Sequence, residues 1–121
     1  MSPANGGSGG AIVNISSGSA LLGTPLVYAM SKGALNSMAT GIRDELIGQG
    51  IRINSISPGL TDTEMVPDEM AKAVVPSIPM KRMGTPDEIA NAAVWLLSDE
   101  ASYVCGAHLR VAGGRMMGGL Q

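Results

Sequence analysis

The sequence contains few of the residue types that mark several common functional classes. Its single cysteine, Cys105, cannot form a disulfide within the chain, which favours a reducing compartment, and we expect a cytoplasmic protein. Eight basic and ten acidic residues give a net charge of −2, without a basic run or aromatic series, so no nucleic-acid partner is expected. The apolar runs are short and interrupted, and the N-terminus lacks a signal-peptide pattern, so no membrane association is predicted.

A metal site is not expected either. The only histidine, His108, has no second metal-ligand type at a suitable spacing. It lies in a segment that alternates polar and apolar residues, as a strand at the edge of a sheet does. We interpret it as an edge or interface histidine rather than as a ligand.

The hydrophobic pattern predicts strands that alternate with helices. Residues 10–16 are an apolar, β-branched run between glycines, which is typical of a strand buried on both faces. The further predicted elements are a helix over 26–48, a strand over 51–57 ended by Pro58 and Gly59, a helix over 85–98 and a strand over 107–111. This order predicts an α/β domain with a parallel sheet, whose ligands bind beyond the carboxyl ends of the strands.

Two segments add detail to this outline. Thr85, Pro86 and Glu88 fit a capping box at the start of the last helix. Residues 60–84 contain irregularly spaced prolines, so we expect a loop that covers a ligand, with one short helix near 67–75. Four methionines of this segment either pack around an apolar substrate or lie under the loop as ordinary packing residues: Met65, Met70, Met80 and Met83.

A tyrosine and a lysine stand four positions apart at the start of the first long helix. Tyr28 and Lys32 begin a stripe that continues through Leu35 and Ala39, the predicted buried face of the helix. A lysine in such a stripe either extends its ammonium outward to solvent or has a role that offsets its lost hydration. The position of Lys32 therefore leaves both readings open.

Polar residues also follow the predicted strands. Ser16 and Ser17 end the first strand, and Thr61 and Thr63 follow Pro58 and Gly59 at the end of the second. The carboxyl ends of parallel strands meet at one edge of a sheet, where Tyr28 and Lys32 also begin their helix. Serine, tyrosine and lysine together indicate proton transfer, since an ammonium near a phenol stabilises the phenolate.

These segments resemble the short-chain dehydrogenase/reductase family over nearly the whole chain. IVNISS is similar to the family's serine-bearing strand, YAMSK to its Tyr-x-x-x-Lys motif, and INSISPGLTDTEM to its strand leading to Pro-Gly and threonine. The stretch RMGTPDEIANAAVWLLSDEASYVCGAHLRVAGG resembles the family's C-terminal region. A Tyr-x-x-x-Lys motif by itself is weak, but four segments in the right order are specific.

The resemblance implies a nicotinamide-dependent oxidoreductase, using NAD or NADP, that acts on a secondary alcohol or ketone. Tyr28 is then the general acid/base, and Lys32 binds the nicotinamide ribose and favours the tyrosine's phenolate. Ser17 orients the substrate oxygen, while Ser16 is structural. Pro58 and Gly59 line the nicotinamide.

For the loop after the second strand, the resemblance implies two further cofactor contacts. Thr61 contacts the carboxamide of the nicotinamide through its backbone, and the Thr63 hydroxyl reaches the carboxamide or the diphosphate. The cofactor supplies the redox chemistry, whereas these groups position it and handle the proton.

The chain also departs from the family pattern. The glycines of residues 6–10 lead into a strand, the reverse of a phosphate-binding turn, and the family's first half is absent. We therefore expect residues 1–9 to be a flexible, glycine-rich segment and residues 10–121 to be the C-terminal half of the family's domain, a partial Rossmann-like, doubly wound sheet. The spacing from Ser17 to Tyr28 is shorter than usual, which makes Ser19 a possible substitute for Ser17. Ala112 stands where the family commonly has aspartate.

Three functional hypotheses follow from these observations. The chain is the catalytic half of an oxidoreductase, a truncated non-catalytic fragment without the cofactor phosphate site, or an interaction module. In the third case it pairs with a relative through the exposed edge of its first strand, since an apolar edge invites a partner. A three-stranded sheet is small for independent stability, so we also expect a homo-oligomer, or pairing through that edge.

Overall fold

Three strands alternate with α-helices in the computed structural model, which describes residues 1–115. The elements are β1 (Gly10–Ile15), α1 (Ser19–Leu22), α2 (Leu26–Gly41), α3 (Arg43–Gly48), β2 (Ile51–Pro58), α4 (Asp68–Val74), α5 (Pro86–Leu97) and β3 (His108–Val111). The strands pair in parallel in the order β1-β2-β3. The predicted α/β class with a partial Rossmann-like sheet is confirmed.

The central strand β2 carries much of the core. Ile53 and Ile56 point to opposite faces of the sheet, and neither is exposed to solvent. Leu96 of α5 is 1% exposed. Since β2 is covered on both faces and paired on both edges, it is the most buried element of the described chain, as a strand of a parallel sheet is expected to be.

Helices cover both faces of the sheet. Asn14 of β1 lies beside Ser55, and its Nδ2 donates a hydrogen bond to the Leu35 carbonyl of α2, 3.5 Å away. Arg52 points to the opposite face from Ser55, and its guanidinium donates to the Leu96 carbonyl of α5 at 2.9 Å. The sheet is therefore doubly wound, with α2 on one face and α5 on the other.

The prediction of one continuous helix over 26–48 is wrong at Ile42. Ile42 adopts φ −100° and ψ −1°, so α2 ends at Gly41 and α3 begins at Arg43. A glycine followed by a β-branched isoleucine is a weak helix-forming pair, which accounts for the position of the break. The longer helix, α2, has 16 residues, and no helix within residues 1–115 has the length and apolar character needed to cross a membrane.

The predicted start of α5 and the predicted short helix are both confirmed. The Thr85 hydroxyl oxygen accepts a hydrogen bond from the Glu88 backbone N–H at 3.2 Å, and the Glu88 carboxylate accepts from the Thr85 N–H at 2.8 Å. These reciprocal bonds form the capping box. The helix α4 lies within the expected range 67–75.

The N-terminal residues pack against the start of the sheet. Pro3–Asn5 form one turn of 3-10 helix, the Gly9 N–H donates to the Met1 carbonyl at 2.8 Å, and the Gly10 N–H donates to the Gly50 carbonyl at 3.1 Å. The glycines thus lead directly into β1. The flexibility of residues 1–9 stays a prediction, and residues 116–121 of the predicted C-terminal half lie outside the described residues.

Candidate functional site

A cleft of about 310 Å³ opens at the carboxyl ends of the strands, where the sequence predicts the site. It brings together four of the predicted site residues: Ser17, Tyr28, Pro58 and Gly59. The other lining residues are Gly18, Ser19, Ser57, Leu60, Met70, Val74, Arg110, Ala112 and Arg115. The convergence follows from the parallel topology, because each strand delivers its last residues to the same edge of the sheet.

Tyr28 lies in the first turn of α2, at the exposed end of the apolar stripe. Its side chain is 47% exposed, whereas Ala39, three turns further along the helix, is buried. Lys32 and Leu35 between them are half-buried. The tyrosine is therefore placed on the cleft wall with access to a ligand, and the rest of the stripe anchors the helix to the sheet.

Lys32 is anchored to the sheet beside the tyrosine. Its Nζ donates a hydrogen bond to the Ile15 carbonyl at the end of β1, over 3.0 Å. The same Nζ lies 5.6 Å from the centroid of the Tyr28 ring, within the range of a cation–π contact. The ammonium is thus fixed next to the ring, and simple extension into solvent does not describe it.

The two serines at the end of β1 differ in environment. Ser16 is 3% exposed and its hydroxyl donates to the Lys32 carbonyl at 3.2 Å, which ties β1 to α2. The Ser17 hydroxyl lines the cleft and accepts a hydrogen bond from the Ser19 N–H at 3.1 Å. This bond uses a lone pair and leaves the Ser17 proton available to a ligand. Ser19 also lines the cleft, so it stays a possible substitute for Ser17.

Pro58 and Gly59 form the floor of the cleft at the end of β2. The Gly59 N–H donates to the Val111 carbonyl of β3 at 2.8 Å. A Cβ added at Gly59 would lie 2.7 Å from the Cα of Ala112, so a larger residue requires the backbone to move. Glycine is needed here because β2 and the end of β3 approach each other closely.

Thr61 and Thr63 do not line the cleft. The Thr61 hydroxyl donates to the Gly59 carbonyl at 3.0 Å, and Thr61 forms an isolated parallel bridge with Gly84. Thr63 is exposed, and its carbonyl accepts from the Val66 N–H at 3.0 Å. Both residues shape the loop after β2, and their cofactor contacts stay predictions.

The methionines of the 60–84 segment divide between several environments. Met70 lines the cleft, whereas Met80 and Met83 line a neighbouring cavity of about 450 Å³. Met65 is 90% exposed. Of the four, Met70 is therefore the one placed to contact a ligand beside Tyr28.

Sequence reasoning missed Ser57 and the two arginines, Arg110 and Arg115. Ser57 is 2% exposed, and its hydroxyl lies 2.6 Å from Nε2 of His108. The sequence did contain a signal for these residues, because polar and apolar residues alternate in both strands. Ser55 and Ser57 of β2 lie on the same face of the sheet as His108 and Arg110 of β3. The pairing register that aligns them comes from the tertiary structure, which the sequence pattern does not specify.

His108 lies on β3, which has one pairing partner within residues 1–115, in agreement with the prediction of an edge strand. Burial of the imidazole lowers the pKa of His108 below its ordinary value, and the positive charge of Arg110 lowers it further. The neutral ring is thereby favoured as the partner of the Ser57 hydroxyl. Within residues 1–115, no group of three histidine, cysteine or acidic side chains is arranged to hold a metal ion.

Comparison with known proteins identifies the fold family. Residues 2–115 match a family model described as enoyl-(acyl carrier protein) reductase, which belongs to the short-chain dehydrogenase/reductases. The chain belongs to the short-chain dehydrogenase/reductase family. The predicted resemblance to this family is therefore confirmed, whereas the roles of the individual site residues stay predictions.

Several relatives of this chain are named as oxidoreductases. It is 48% identical to the uncharacterized oxidoreductase YgfF of Escherichia coli, over 95% of this chain and 49% of that protein. It is 42% identical to a 3alpha-hydroxysteroid dehydrogenase of Mediterraneibacter gnavus, over 87% of this chain and 44% of the relative. It is also 42% identical to an A-factor type gamma-butyrolactone 1'-reductase of Streptomyces virginiae, over 89% of this chain and 45% of that protein. The chain thus spans about half the length of these relatives.

Proposed function

We propose that the chain is the catalytic part of an NAD(P)-dependent oxidoreductase that interconverts a secondary alcohol and a ketone. The observation that carries the proposal is the cleft lined by both Ser17 and Tyr28, with the Lys32 Nζ 5.6 Å from the centroid of the Tyr28 ring. The oxidoreductase names of the relatives support the reaction class. The substrate beyond this class is left open by the wide range of those names.

Tyr28 is the general acid/base in this proposal. Its partial exposure on the cleft wall lets a substrate oxygen reach the phenol. In the reductive direction the Tyr28 hydroxyl gives its proton to the carbonyl oxygen, and in the oxidative direction the phenolate takes the proton of the alcohol. The nearby Lys32 charge stabilises the phenolate that forms in the first case.

Ser17 holds the substrate oxygen beside Tyr28. Its hydroxyl oxygen accepts from the Ser19 N–H, which leaves its own proton available to an external acceptor. A carbonyl or alkoxide oxygen between Ser17 and Tyr28 then has two donors, and hydrogen bonds to developing negative charge lower the barrier. Ser17 thereby fixes the geometry of the proton transfer.

The donor set fits the nicotinamide half of the cofactor. An ammonium has three N–H donors, and Lys32 uses one of them on the Ile15 carbonyl. The other two suit the hydroxyl groups of a ribose. Lys32 itself does not line the cleft, whereas Pro58 and Gly59 do and offer a small-residue surface to the nicotinamide. When bound, NADH or NADPH would supply the hydride for carbonyl reduction, and NAD or NADP would accept it in the reverse reaction.

Thr61 and Thr63 complete the proposed cofactor contacts from the loop after β2. The Thr61 backbone serves the carboxamide, and the exposed Thr63 hydroxyl is free to reach the carboxamide or diphosphate. The glycines of residues 6–10 enter β1 and do not open a helix, so they do not form a phosphate-binding turn. We therefore expect residues 6–10 to make no diphosphate contact of that kind.

A non-catalytic interaction role is the second candidate function. Within residues 1–115, β1 has a pairing partner on one edge only, and Ile15 at its end is 43% exposed. Such an edge accepts another strand, from a second copy of this chain or from a fuller relative. We therefore propose a homo-oligomer, or pairing through β1, as the assembly that accompanies either function.

Fluorescence titration of NADH and NADPH into the folded chain tests the proposal. We expect saturable binding that weakens in Lys32→Ala and is unchanged in Lys72→Ala, because Lys72 lies on α4 and contacts Glu69. Absence of binding at millimolar cofactor contradicts the catalytic proposal and favours the interaction role. In that case, mixing the chain with a full-length relative and measuring the mass of the complex separates an interaction module from an inert fragment.

A further inference from the structure

Arg110 differs from three other arginines of the chain in having a buried donor without a partner. The guanidinium groups of Arg43, Arg52 and Arg82 donate hydrogen bonds to a carboxylate, to backbone carbonyls, or to both. In contrast, Nη1 of Arg110 is buried and has no hydrogen-bond partner within residues 1–115. A buried, charged donor without an acceptor in residues 1–115 is unfavourable, so an acceptor on a bound ligand would stabilise it.

The position of Arg110 shows where that acceptor binds. Arg110 lies beside Ser57 in the register of β2 and β3, and both residues line the cleft that contains Ser17 and Tyr28. The cleft also contains Arg115, and none of its lining residues within 1–115 is acidic. Arg110 and Arg115 thus bring two positive charges to this cleft. Both also line the neighbouring cavity of about 450 Å³, where the Glu88 carboxylate is already paired with Arg82.

We propose that Arg110, assisted by Arg115, binds an anionic group of the substrate, a carboxylate or a phosphate, while the carbonyl or alcohol of the same molecule lies at Tyr28. This inference rests on the proposed function, since it names the substrate class of the same cleft. The planar guanidinium fork matches the two oxygens of a carboxylate or phosphate. Ser57 is held by His108 at the same wall and completes the polar surface.

His108 provides a reporter that does not depend on cofactor or turnover. It is the only histidine in the sequence, so its ring Hε1 proton gives a single histidine signal to follow by proton NMR. The Arg110 charge is one of the two causes that lower the pKa of His108. An anion bound to Arg110 offsets that charge, so the histidine titration midpoint should rise when the ligand is present.

The experiment compares matched ligands that differ in charge. The probes are levulinate against its neutral methyl ester, and dihydroxyacetone phosphate against dihydroxyacetone, each titrated into the full chain without cofactor. We expect the anionic member of at least one pair to bind about tenfold more tightly than its neutral partner and to raise the His108 midpoint. The pair that does so tells a carboxylate site from a phosphate site.

Two substitutions and one control locate the effect. Arg110→Gln should abolish the preference for the anion, and Arg110→Lys should retain part of it, because lysine keeps the charge but not the fork. Arg43→Gln removes an arginine outside the cleft and should change nothing. Circular dichroism of each variant confirms that it is folded.

Equal binding of charged and neutral probes, no binding of either, or a preference that survives in Arg110→Gln overturns the inference. These outcomes are distinct from failure of the proposed function, which is measured by the cofactor titration and its Lys32 variant. A chain that prefers the anion but does not bind NADH or NADPH keeps an anion site and loses the proposed redox role. A chain that binds cofactor but shows no charge preference keeps the proposed redox role and lacks the anion site.

Discussion

Arg82 lies in the loop before α5, and Arg110 lies in β3. The hydrogen bonding of their guanidinium groups is opposite. At the start of α5, the Arg82 guanidinium donates to both oxygens of Glu88, at 2.9 and 2.7 Å, and Glu88 also accepts from the Thr85 N–H. In the cleft, Arg110 has a buried nitrogen without a partner in the described chain. One region satisfies its polar groups internally, and the other leaves them for a ligand.

The difference separates structural from functional polarity in this small domain. The hydrogen bonds from Arg82 and from the Thr85 backbone lower the pKa of Glu88 to about 2, so the carboxylate is held charged at the helix N-terminus. The Ser17, Tyr28 and Arg110 side chains in the cleft keep donors available instead. Changes at the cap should therefore alter stability, and changes in the cleft should alter binding and catalysis.

The largest expected effect is on activity, from Tyr28→Phe. Loss of the phenolic proton should lower kcat for carbonyl reduction by about 10²–10⁴-fold, the usual contribution of general acid/base catalysis. The thermal unfolding midpoint should stay unchanged, because the side chain is half-exposed and packs on one side only. The measurement is steady-state NAD(P)H oxidation with a ketone. Retention of activity in this variant would remove Tyr28 from the proton transfer.

The next effect is on stability, from Thr85→Ala at the cap. Loss of the side-chain acceptor for the Glu88 N–H should lower the free energy of unfolding by about 1 kcal/mol. Urea denaturation followed by circular dichroism measures it, with cofactor binding as the readout that should not change. Thr40→Ala is the matched control on the exposed side of α2. An equal effect of the two substitutions contradicts a specific role for the cap.

A smaller, pH-dependent effect is expected at Glu88. Since its pKa falls from an ordinary 4.5 to about 2 on folding, the carboxylate stabilises the folded chain fully above pH 4.5. That contribution is lost as the pH falls from 4.5 to about 2, where the folded form also takes up the proton. The unfolding midpoints of the native chain and Glu88→Gln should therefore converge over this range. If the difference between the unfolding midpoints of the two chains does not change with pH, the charge of Glu88 is not the source of that difference.

The smallest effect is the stability change of Arg110→Gln, which sharpens the comparison directly. Removing a buried donor that lacks a partner in the described part of the chain should not lower the free energy of unfolding, because no hydrogen bond is lost. Arg82→Gln should lower the unfolding midpoint more, because it breaks the two bonds to Glu88. Thermal denaturation of both variants measures this. A larger loss in Arg110→Gln would show that Arg110 is structural.

Much of the fold follows from local sequence signals. The strand of residues 10–16 and the strand ended by Pro58 and Gly59 were predictable because apolar, β-branched runs between turn residues have few other stable conformations. The capping box of Thr85 and Glu88 is formed by residues three positions apart, so its geometry is local. The single helix predicted over 26–48 failed at Ile42, where a glycine and a β-branched residue made a weak point that periodicity alone did not detect.

The sequence by itself determined the α/β class, the element order and the identity of the candidate catalytic residues Ser17, Tyr28 and Lys32. The tertiary structure decided which residues share the cleft: it added Ser57 and Arg110, and it left Lys32, Thr61 and Thr63 outside the lining. It also decided that Lys32 is bonded to the end of β1. The reason is that helix and strand periodicity depend on near neighbours along the chain. The pairing register of separate strands and the approach of a helix to a sheet depend on residues far apart in sequence.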